Sequence, residues 1–271
     1  MQIVHSADGT TIAFDRSGRG PALILVGGAT ATRMSAAAAA AALSPDFTVF
    51  AYDRRGRGDS GDTAPYAVER EVEDIQALID EAGGSAFLFG GSSGAALSLE
   101  AGLRLPGKIE KLALYEAPFI VDDSRPPIPG DFAAQLNRLV AAGRRGDAVE
   151  LFQRNVGLPP EMIAQFRQSP MWPAMEAGAH TLAYDAAIME GAQSGSPLPL
   201  RKYAAVRIPT LVMDGTVFLG SEQNHQWMRH SADELARVLP DAQRRILEGQ
   251  DHGAAADVLA AALREFLIAR P

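Results

Sequence analysis

A serine flanked by glycines lies at a predicted strand-to-helix corner. The apolar run AFLF (86–89) is followed by GGSSG, after which a helix-forming segment begins. Ser92 has Gly90 two residues before it and Gly94 two residues after it, which is the G-x-S-x-G pattern. Such a turn projects the serine hydroxyl away from the sheet and brings the flanking backbones too close for side chains at the glycine positions. The pattern predicts a nucleophile at Ser92; a glycine-rich turn without chemistry is the alternative.

A serine hydroxyl becomes a good nucleophile only when a base removes its proton, so a histidine is expected downstream. His252 lies in EGQDHG, a loop between the last predicted strand and the final helix. This loop leaves the sheet at the same end as the Ser92 corner, and we therefore predict His252 as the base. Structural positions are favoured for the other four histidines, which are His5, His180, His225 and His230.

The residue after Ser92 offers a backbone N–H group rather than a nucleophile. Ser93 does not fit the nucleophile pattern, because Ala95 stands two residues after it. Its backbone N–H lies at the predicted start of a helix, where the helix dipole favours negative charge.

The elements that position these residues are short apolar runs that alternate with helical segments. Eight runs are predicted strands: 3–4, 11–14, 22–26, 48–52, 86–89, 112–115, 210–213 and 244–247. Several are continuously apolar, as parallel strands buried on both faces are. The predicted helices between them are 33–43, 68–81, 94–105, 232–239 and 254–268. This alternation predicts an α/β fold with a doubly wound, mostly parallel eight-stranded sheet.

One interval breaks this alternation. From about residue 121 to residue 206 no convincing strand is found, and helical patches at 132–142, 147–155 and 175–188 are separated by prolines. The segment is too long and too apolar for a loop. We predict a helical cap (121–206) inserted after the sixth strand into a core made of 1–120 and 207–271.

Composition limits the classes of partner. The chain has 271 residues, a formal net charge of −8 and no cysteine. The charge argues against nucleic acid as the partner, and the missing cysteines exclude disulfides and thiolate chemistry. The N-terminal residues show no secretory signal, and the longest apolar tract, 36–43, is too short to span a membrane. We expect a cytoplasmic monomer or homodimer that binds neither nucleic acid nor membrane.

Two other kinds of site are not indicated. YDRRGRGDSG (52–61) contains arginines and glycines but no G-x-x-x-x-G-K-[ST], so a phosphate loop is rejected. His225 and His230 are five residues apart with no acidic partner in helical register, which is not a metal-ligand spacing. We predict no metal and no cofactor.

The chain resembles the α/β-hydrolase superfamily over nearly its full length. The motifs that carry the resemblance are LILVGGA at the third strand, YDRRGRGDSG after the fourth, GGSSG after the fifth, PTLVMDG at the seventh, and EGQDHG. The resemblance implies that Asp53 and the arginines hold their loop structurally. It also implies an oxyanion hole made by the backbone N–H groups of Ser93 and Ala29, with Gly28 as the alternative to Ala29.

The resemblance does not by itself identify the acid of the catalytic triad. Most members carry it about three residues beyond the glycine that ends the seventh strand, where this chain has Phe218. Asp214 precedes that glycine and Glu222 lies further along. Glu116 at the end of the sixth strand is preferred, because the acid of lactone hydrolases that open zearalenone is similar in position and a carboxylate at either strand end can reach the histidine. A salt bridge beneath the cap is the alternative role for Glu116.

Aromatic residues of the cap predict a mostly apolar substrate pocket. Phe119 and Trp172, each next to a proline, and Phe218 are the predicted pocket walls, although most cap aromatics are expected to pack the cap's own core. An anionic substrate is not favoured unless the cap arginines, which are Arg125, Arg138, Arg144 and Arg145, face inward.

The resulting hypothesis is a cofactor-independent serine hydrolase that cleaves a small-molecule carboxylic ester or lactone through an acyl-enzyme. Ser92, His252 and Glu116 would form the triad. The alternatives are a non-catalytic ligand-binding protein on the same scaffold, or a thioesterase, perhydrolase or C–C hydrolase with the same triad. Haloalkane dehalogenases and epoxide hydrolases are disfavoured, because both need a carboxylate where this chain has Ser92.

Overall fold

The apolar runs of the sequence form the strands of one eight-stranded sheet. The computed structural model describes residues 1–217 and 222–268, with residues 222–225 described in the backbone only. The strands are β1 Gln2–His5, β2 Thr11–Gly18, β3 Ala22–Val26, β4 Thr48–Tyr52, β5 Ala86–Gly91, β6 Ile109–Tyr115, β7 Thr210–Gly215 and β8 Ala242–Leu247.

The strand order is β1-β2-β4-β3-β5-β6-β7-β8. β1 pairs with β2 and β2 with β4 in antiparallel directions, and all the other neighbours are parallel. β4 and β7 are buried along their whole length, as parallel strands covered on both faces are. The predicted sheet is confirmed, and its parallel strands send their carboxyl ends to one edge, where open α/β sheets bind ligands.

Helices cover both faces of this sheet. Those of the core are α1 Ala37–Leu43, α2 Val68–Glu81, α3 Ser93–Arg104, α9 Glu222–Val238 and α10 Ala256–Ile268, with a 3₁₀ turn at Arg33–Ala36. One hydrophobic cluster packs α2, α3 and α9 on one face, and a second packs α1 and α10 on the other. The predicted helix 232–239 is only the last part of α9, which begins ten residues earlier than its apolar residues indicate.

A helical insertion separates β6 from β7, as predicted. It contains α4 Phe132–Ala141, α5 Arg145–Asn155, α6 Pro160–Arg167, α7 Trp172–Ala177 and α8 Leu182–Ile188, with 3₁₀ turns at Ala179–Thr181 and Leu198–Ala205. The predicted helical patch 175–188 is divided, because α7 ends at Ala177 and Gly178 follows it. Phe132, Leu136, Val149, Trp172 and Leu182 are among the residues of the cap's own hydrophobic cluster. Within the ranges 1–217 and 222–268, no helix is long and apolar enough to cross a membrane.

Candidate active site

The strand-to-helix corner after β5 has the strained backbone that its sequence predicts. Ser92 lies between β5 and α3 with φ 55° and ψ −129°, a positive φ that residues other than glycine rarely adopt. A Cβ added at Gly90 would lie 2.4 Å from the carbonyl oxygen of Gly94, and one added at Gly94 would lie 2.2 Å from that of Val26. Both flanking positions therefore require glycine.

The loop after β3 passes directly beside this corner. A Cβ added at Gly28 would lie 2.9 Å from the Cβ of Ser92 and 3.5 Å from its Oγ. Ser92 itself is partly exposed. An acyl group attached to the Ser92 hydroxyl would thus lie next to the backbone of residues 27–29.

The structure brings Glu116 and His252 together. Nδ1 of His252 lies 2.5 Å from Oε2 of Glu116, and Oε1 of the same carboxylate accepts a hydrogen bond from the N–H of Gly215 at 3.0 Å. The Glu116 side chain is 2% exposed, whereas that of His252 is 45% exposed. Glu116 also has a positive φ of 48°, so its backbone is strained to hold the carboxylate at the end of β6.

This contact defines the orientation of the imidazole. Because Nδ1 faces a carboxylate, it carries the proton, and Nε2 is left as the proton acceptor. Within the described part of the chain Ser92 Oγ is not hydrogen bonded to the ring, and such contacts are often long in enzymes without substrate.

Hydrogen bonds tie the loop of His252 to neighbouring strand ends. The N–H groups of Thr216 and Val217 both donate to the carbonyl oxygen of Gln250 at 2.9 Å, and the hydroxyl of Tyr115 donates to the carbonyl oxygen of Asp251. The loop is therefore held against the ends of β6 and β7, which is where Glu116 lies.

The other candidate acids are not in this position. Asp214 is buried and forms an ion pair with Arg244 at 2.6 Å, and Arg229 approaches its second oxygen at 3.9 Å. The side chain of Glu222 lies outside the described residues. Among the described acids, Glu116 is the one that contacts His252.

The three backbone N–H groups predicted as oxyanion donors are without a protein acceptor among the described residues. Ser93 is the first residue of α3, so its N–H has no acceptor within the helix. The N–H groups of Ser93, Ala29 and Gly28 donate to no protein group within residues 1–217 and 222–268. All three predicted donors are free to bind a ligand oxygen.

The arginine-rich loop after β4 is held by buried carboxylates. Asp53 accepts from the N–H groups of Arg33 and Asp59, at 2.7 and 2.9 Å. Arg55 forms a bidentate pair with Asp74. The predicted structural use of this loop is confirmed.

Two arginines of the same loop also hold the backbone of the loop after β3, a role that the sequence did not indicate. Arg54 Nη1 donates to the carbonyl oxygen of Gly27 at 3.2 Å, and Arg57 Nη1 donates to that of Gly28 at 2.6 Å. Both also contact Asp185 on α8 of the cap, at 2.8 and 2.7 Å. The only hint in the sequence was a polar residue, Asp185, in an otherwise apolar helix, and such a residue is often merely exposed.

Asp185 is completely buried, and both of its carboxylate oxygens accept hydrogen bonds. Its Oδ1 also accepts from the hydroxyl of Ser93 at 2.7 Å. Burial acts to raise the pKa of Asp185, but the adjacent Arg57 and Arg54 outweigh it and hold the pKa below its usual value. Asp185 is therefore ionised at neutral pH.

Two of the three predicted pocket residues are buried in hydrophobic clusters, and the third is not described. Phe119 is fully buried in the main core, with its ring 6.1 Å from that of Tyr203, and Trp172 is 5% exposed in the cap's own cluster. Neither presents an open face, and their role as pocket walls stays a prediction. Phe218 lies outside the described residues.

The cap arginines differ in their environment. Arg138 and Arg144 are exposed and pair with Asp131 and Asp147, and Arg145 donates to carbonyl oxygens of the cap. Arg125 is partly buried with its guanidinium 4.7 Å from the Trp227 ring, and burial lowers its pKa. None of these four contacts Ser92 or His252 through a hydrogen bond within the described residues.

Two of the remaining histidines, His180 and His230, have partners of their own. His230 lies on α9 with Nδ1 2.5 Å from Asp122, rather than in a solvated stretch. His180 lies between Asp62 and Arg145. The side chain of His225 is outside the described residues. No group of three or more metal-binding side chains occurs in the part of the chain that the structure describes.

Comparison with known proteins agrees with this architecture. Residues 23–263 match the Alpha/beta hydrolase family. An alpha/beta hydrolase from Sphaerobacter thermophilus DSM 20745 is 54% identical over 98% of this chain and 100% of its own, with a TM-score of 0.88. An enol-lactonase from Burkholderia xenovorans LB400 is 22% identical over 99% and 100% of the two chains, with a TM-score of 0.71.

A thermophilic esterase from Thermogutta terrifontis is 21% identical over 98% of this chain and 97% of its own, with a TM-score of 0.73. At these identities the lactonase and the esterase share the fold alone. The family match covers most of the chain, and the corner, sheet order and helical insertion all conform to it. The chain belongs to the alpha/beta hydrolase family.

Proposed function

We propose that this hydrolase cleaves a carboxylic ester or lactone through an acyl-enzyme formed on Ser92. The observation that carries the proposal is the 2.5 Å contact between Glu116 and His252. Glu116 follows the strand end to which the strained Ser92 corner is hydrogen bonded. A pair that orients an imidazole with a free Nε2 is what an activated hydroxyl requires. A ligand-binding protein has no need of it.

The geometry supports the following sequence of steps. Nε2 of His252 takes the proton of the Ser92 hydroxyl as Oγ attacks the carbonyl carbon. The developing oxyanion is bound by the N–H groups of Ser93 and Ala29, or Gly28 in place of Ala29. The imidazolium, stabilised by Glu116, then donates its proton to the leaving alkoxide, and the ester bond breaks.

Deacylation repeats these roles with water as the nucleophile. His252 removes a proton from water, the hydroxide attacks the acyl carbon, and Ser92 Oγ leaves and recovers the proton. The products are a carboxylic acid and an alcohol, or a hydroxy acid from a lactone. Each oxyanion donor is worth on the order of 10²–10³ in kcat.

The first test is covalent labelling. A fluorophosphonate should modify Ser92, and tandem mass spectrometry of the labelled peptide distinguishes residue 92 from residue 93. Ser92→Ala should lose both the label and the hydrolysis of 4-nitrophenyl acetate. Ser93→Ala is the matched control, because the Ser93 hydroxyl is buried on Asp185 and cannot act as nucleophile; this variant should still be labelled at Ser92.

Retention of label and activity in Ser92→Ala would refute the proposal. Absence of turnover in the folded wild-type protein would instead favour the ligand-binding alternative. The ester and lactone class is supported by the fold shared with the esterase and the enol-lactonase. A panel of open esters, thioesters and lactones, assayed with wild type and Ser92→Ala, separates these substrates.

A further inference from the structure

One carboxylate of the cap is linked, directly or through an arginine, to each element that carries a predicted oxyanion donor. We propose that Asp185 is a positioning residue for the oxyanion hole. It holds Ser93 directly and holds the loop 27–29 through two arginines, Arg54 and Arg57. The inference rests on the proposed function and adds a cap residue to the machinery of the same site.

The first step concerns the peptide group between Gly28 and Ala29. Its carbonyl oxygen accepts a hydrogen bond of 2.6 Å from Nη1 of Arg57. In a planar trans peptide the C=O and the N–H point in opposite directions. The arginine therefore orients the N–H of Ala29 away from itself, and it polarises the same peptide bond, which makes that N–H a better donor.

The second step concerns the preceding peptide group. The carbonyl oxygen of Gly27 accepts from Nη1 of Arg54 at 3.2 Å, so the N–H of Gly28 is oriented in the same way. Gly28 is the alternative donor on this loop. Whichever of the two peptides binds the oxyanion, an arginine holds its carbonyl side.

Asp185 connects these arginines with the other half of the oxyanion hole. Its Oδ2 lies 2.7 Å from Arg57 Nη2, and its Oδ1 lies 2.8 Å from Arg54 Nη1. Oδ1 also accepts from the hydroxyl of Ser93, whose backbone N–H is the second donor. One buried carboxylate thus sets the distance between the start of α3 and the loop after β3.

Stability alone does not explain this arrangement. Arg54, Arg57, Glu71 and Asp185 are all at most 4% exposed, and their formal charges sum to zero. Buried ion clusters commonly contribute no more stability than apolar residues of similar size. Because this ion cluster has no net charge, it contributes little electrostatic stabilisation to the oxyanion. We therefore assign it the orientation of the N–H donors.

The test uses the full-length Asp185→Asn variant and two substrates, 4-nitrophenyl acetate and its thionoacetate analogue. Sulfur accepts hydrogen bonds weakly, so an oxyanion hole accelerates the oxygen ester much more than the thiono ester. We expect kcat for the oxygen ester to fall about 10- to 100-fold, somewhat less than the loss of a whole donor. KM should change little, and the ratio of the two kcat/KM values should fall together with kcat.

A matched control is Asp74→Asn. Asp74 is an equally buried carboxylate that holds Arg55 of the same loop, and Arg55 contacts neither Gly27 nor Gly28. This variant should be destabilised but should keep the wild-type ratio of oxygen to thiono ester, with activity per titrated active site within about threefold of wild type. A merely structural role of Asp185 would produce the same result in Asp185→Asn.

An unchanged substrate ratio in folded Asp185→Asn would overturn the inference, as would an increase in kcat. If that variant does not fold, Arg57→Lys serves instead. Lysine keeps the charge beside Asp185 but has no second N–H group for the Gly28 carbonyl. The ratio of oxygen to thiono ester should therefore fall here too, and an unchanged ratio would refute the inference.

Ser92→Ala separates the two proposals. Activity that persists in Ser92→Ala contradicts the proposed function. Loss of activity in Ser92→Ala together with a wild-type substrate ratio in Asp185→Asn contradicts only the role of Asp185.

Discussion

Oε2 of Glu116 lies 2.5 Å from Nδ1 of His252, although the two residues are 136 positions apart in the chain. The carboxylate is fixed from its other side by the N–H of Gly215. The Glu116 side chain is buried, whereas that of His252 is half-exposed. This relationship selects Glu116 as the proposed triad acid.

Glu116→Gln should therefore lower kcat by about 10³–10⁴, because an amide cannot stabilise the imidazolium and favours the wrong tautomer. Asp214→Asn should keep most of the activity per folded molecule, since Asp214 pairs with Arg244. Both kcat values are measured on 4-nitrophenyl acetate after titration of active sites with a fluorophosphonate. The opposite order of the two variants would return the acid to the seventh strand.

The positive φ of Ser92 predicts that the side chain at this position lowers the stability of the protein. Glycine adopts a φ of 55° freely, whereas alanine does not, and strained positions of this kind cost about 1–3 kcal/mol. Ser92→Gly should unfold with a free energy about 1 kcal/mol higher than Ser92→Ala, after the greater entropy of glycine in the unfolded chain is subtracted. Urea unfolding of the two variants, both inactive, measures the difference. Equal or reversed stabilities would show that no strain is stored there.

The glycines of the corner differ in how much space they have. A Cβ at Gly94 would lie 2.2 Å from the carbonyl oxygen of Val26, whereas one at Gly91 would meet nothing within 4 Å. Gly94→Ala should lower the free energy of unfolding by about 1–3 kcal/mol or more, because β3 and α3 must move apart. Gly91→Ala should change it by less than about 0.5 kcal/mol. Thermal unfolding compares them, and similar losses in both would contradict the packing described for the corner.

His180 introduces a pH dependence between cap and core. It lies between Asp62 and Arg145, and burial lowers its pKa from the ordinary value of 6.5 against the opposing effect of Asp62. The unfolded chain therefore binds this proton more readily than the folded protein. The free energy of unfolding should be highest above pH 6.5 and should fall as the pH drops from 6.5 toward the lower pKa of the folded state.

His180→Gln removes this titration. Urea unfolding at about pH 7.5 and about pH 5.5 should show a smaller loss of stability for the variant than for wild type, according to proton linkage. His5→Gln, on the first strand and away from the cap, is the matched control for the replacement of a histidine by glutamine. An identical dependence in wild type and His180→Gln would exclude His180 as its source.

Most of the fold could be predicted from the sequence because its signals are local. Continuously apolar runs mark buried parallel strands. The crowding at Gly90 arises within five residues of chain, at the carbonyl oxygen of Gly94, whereas that at Gly94 is against Val26 of β3 and depends on the fold. His252 could be placed at the same sheet edge from strand order alone. The start of α9 could not, because its first residues carry no apolar pattern.

The proposed triad acid and the buried ion cluster around Asp185 depend on tertiary structure. The resemblance favours Glu116, but only the folded structure shows that its carboxylate, and not that of Asp214, contacts His252. Asp185 lies 128 residues from Arg57, and no local pattern connects a carboxylate on a cap helix with a loop after the fourth strand. The physical reason is that secondary structure follows from neighbours in the chain, whereas the partner of a buried charge is set by which surfaces the packed elements bring together.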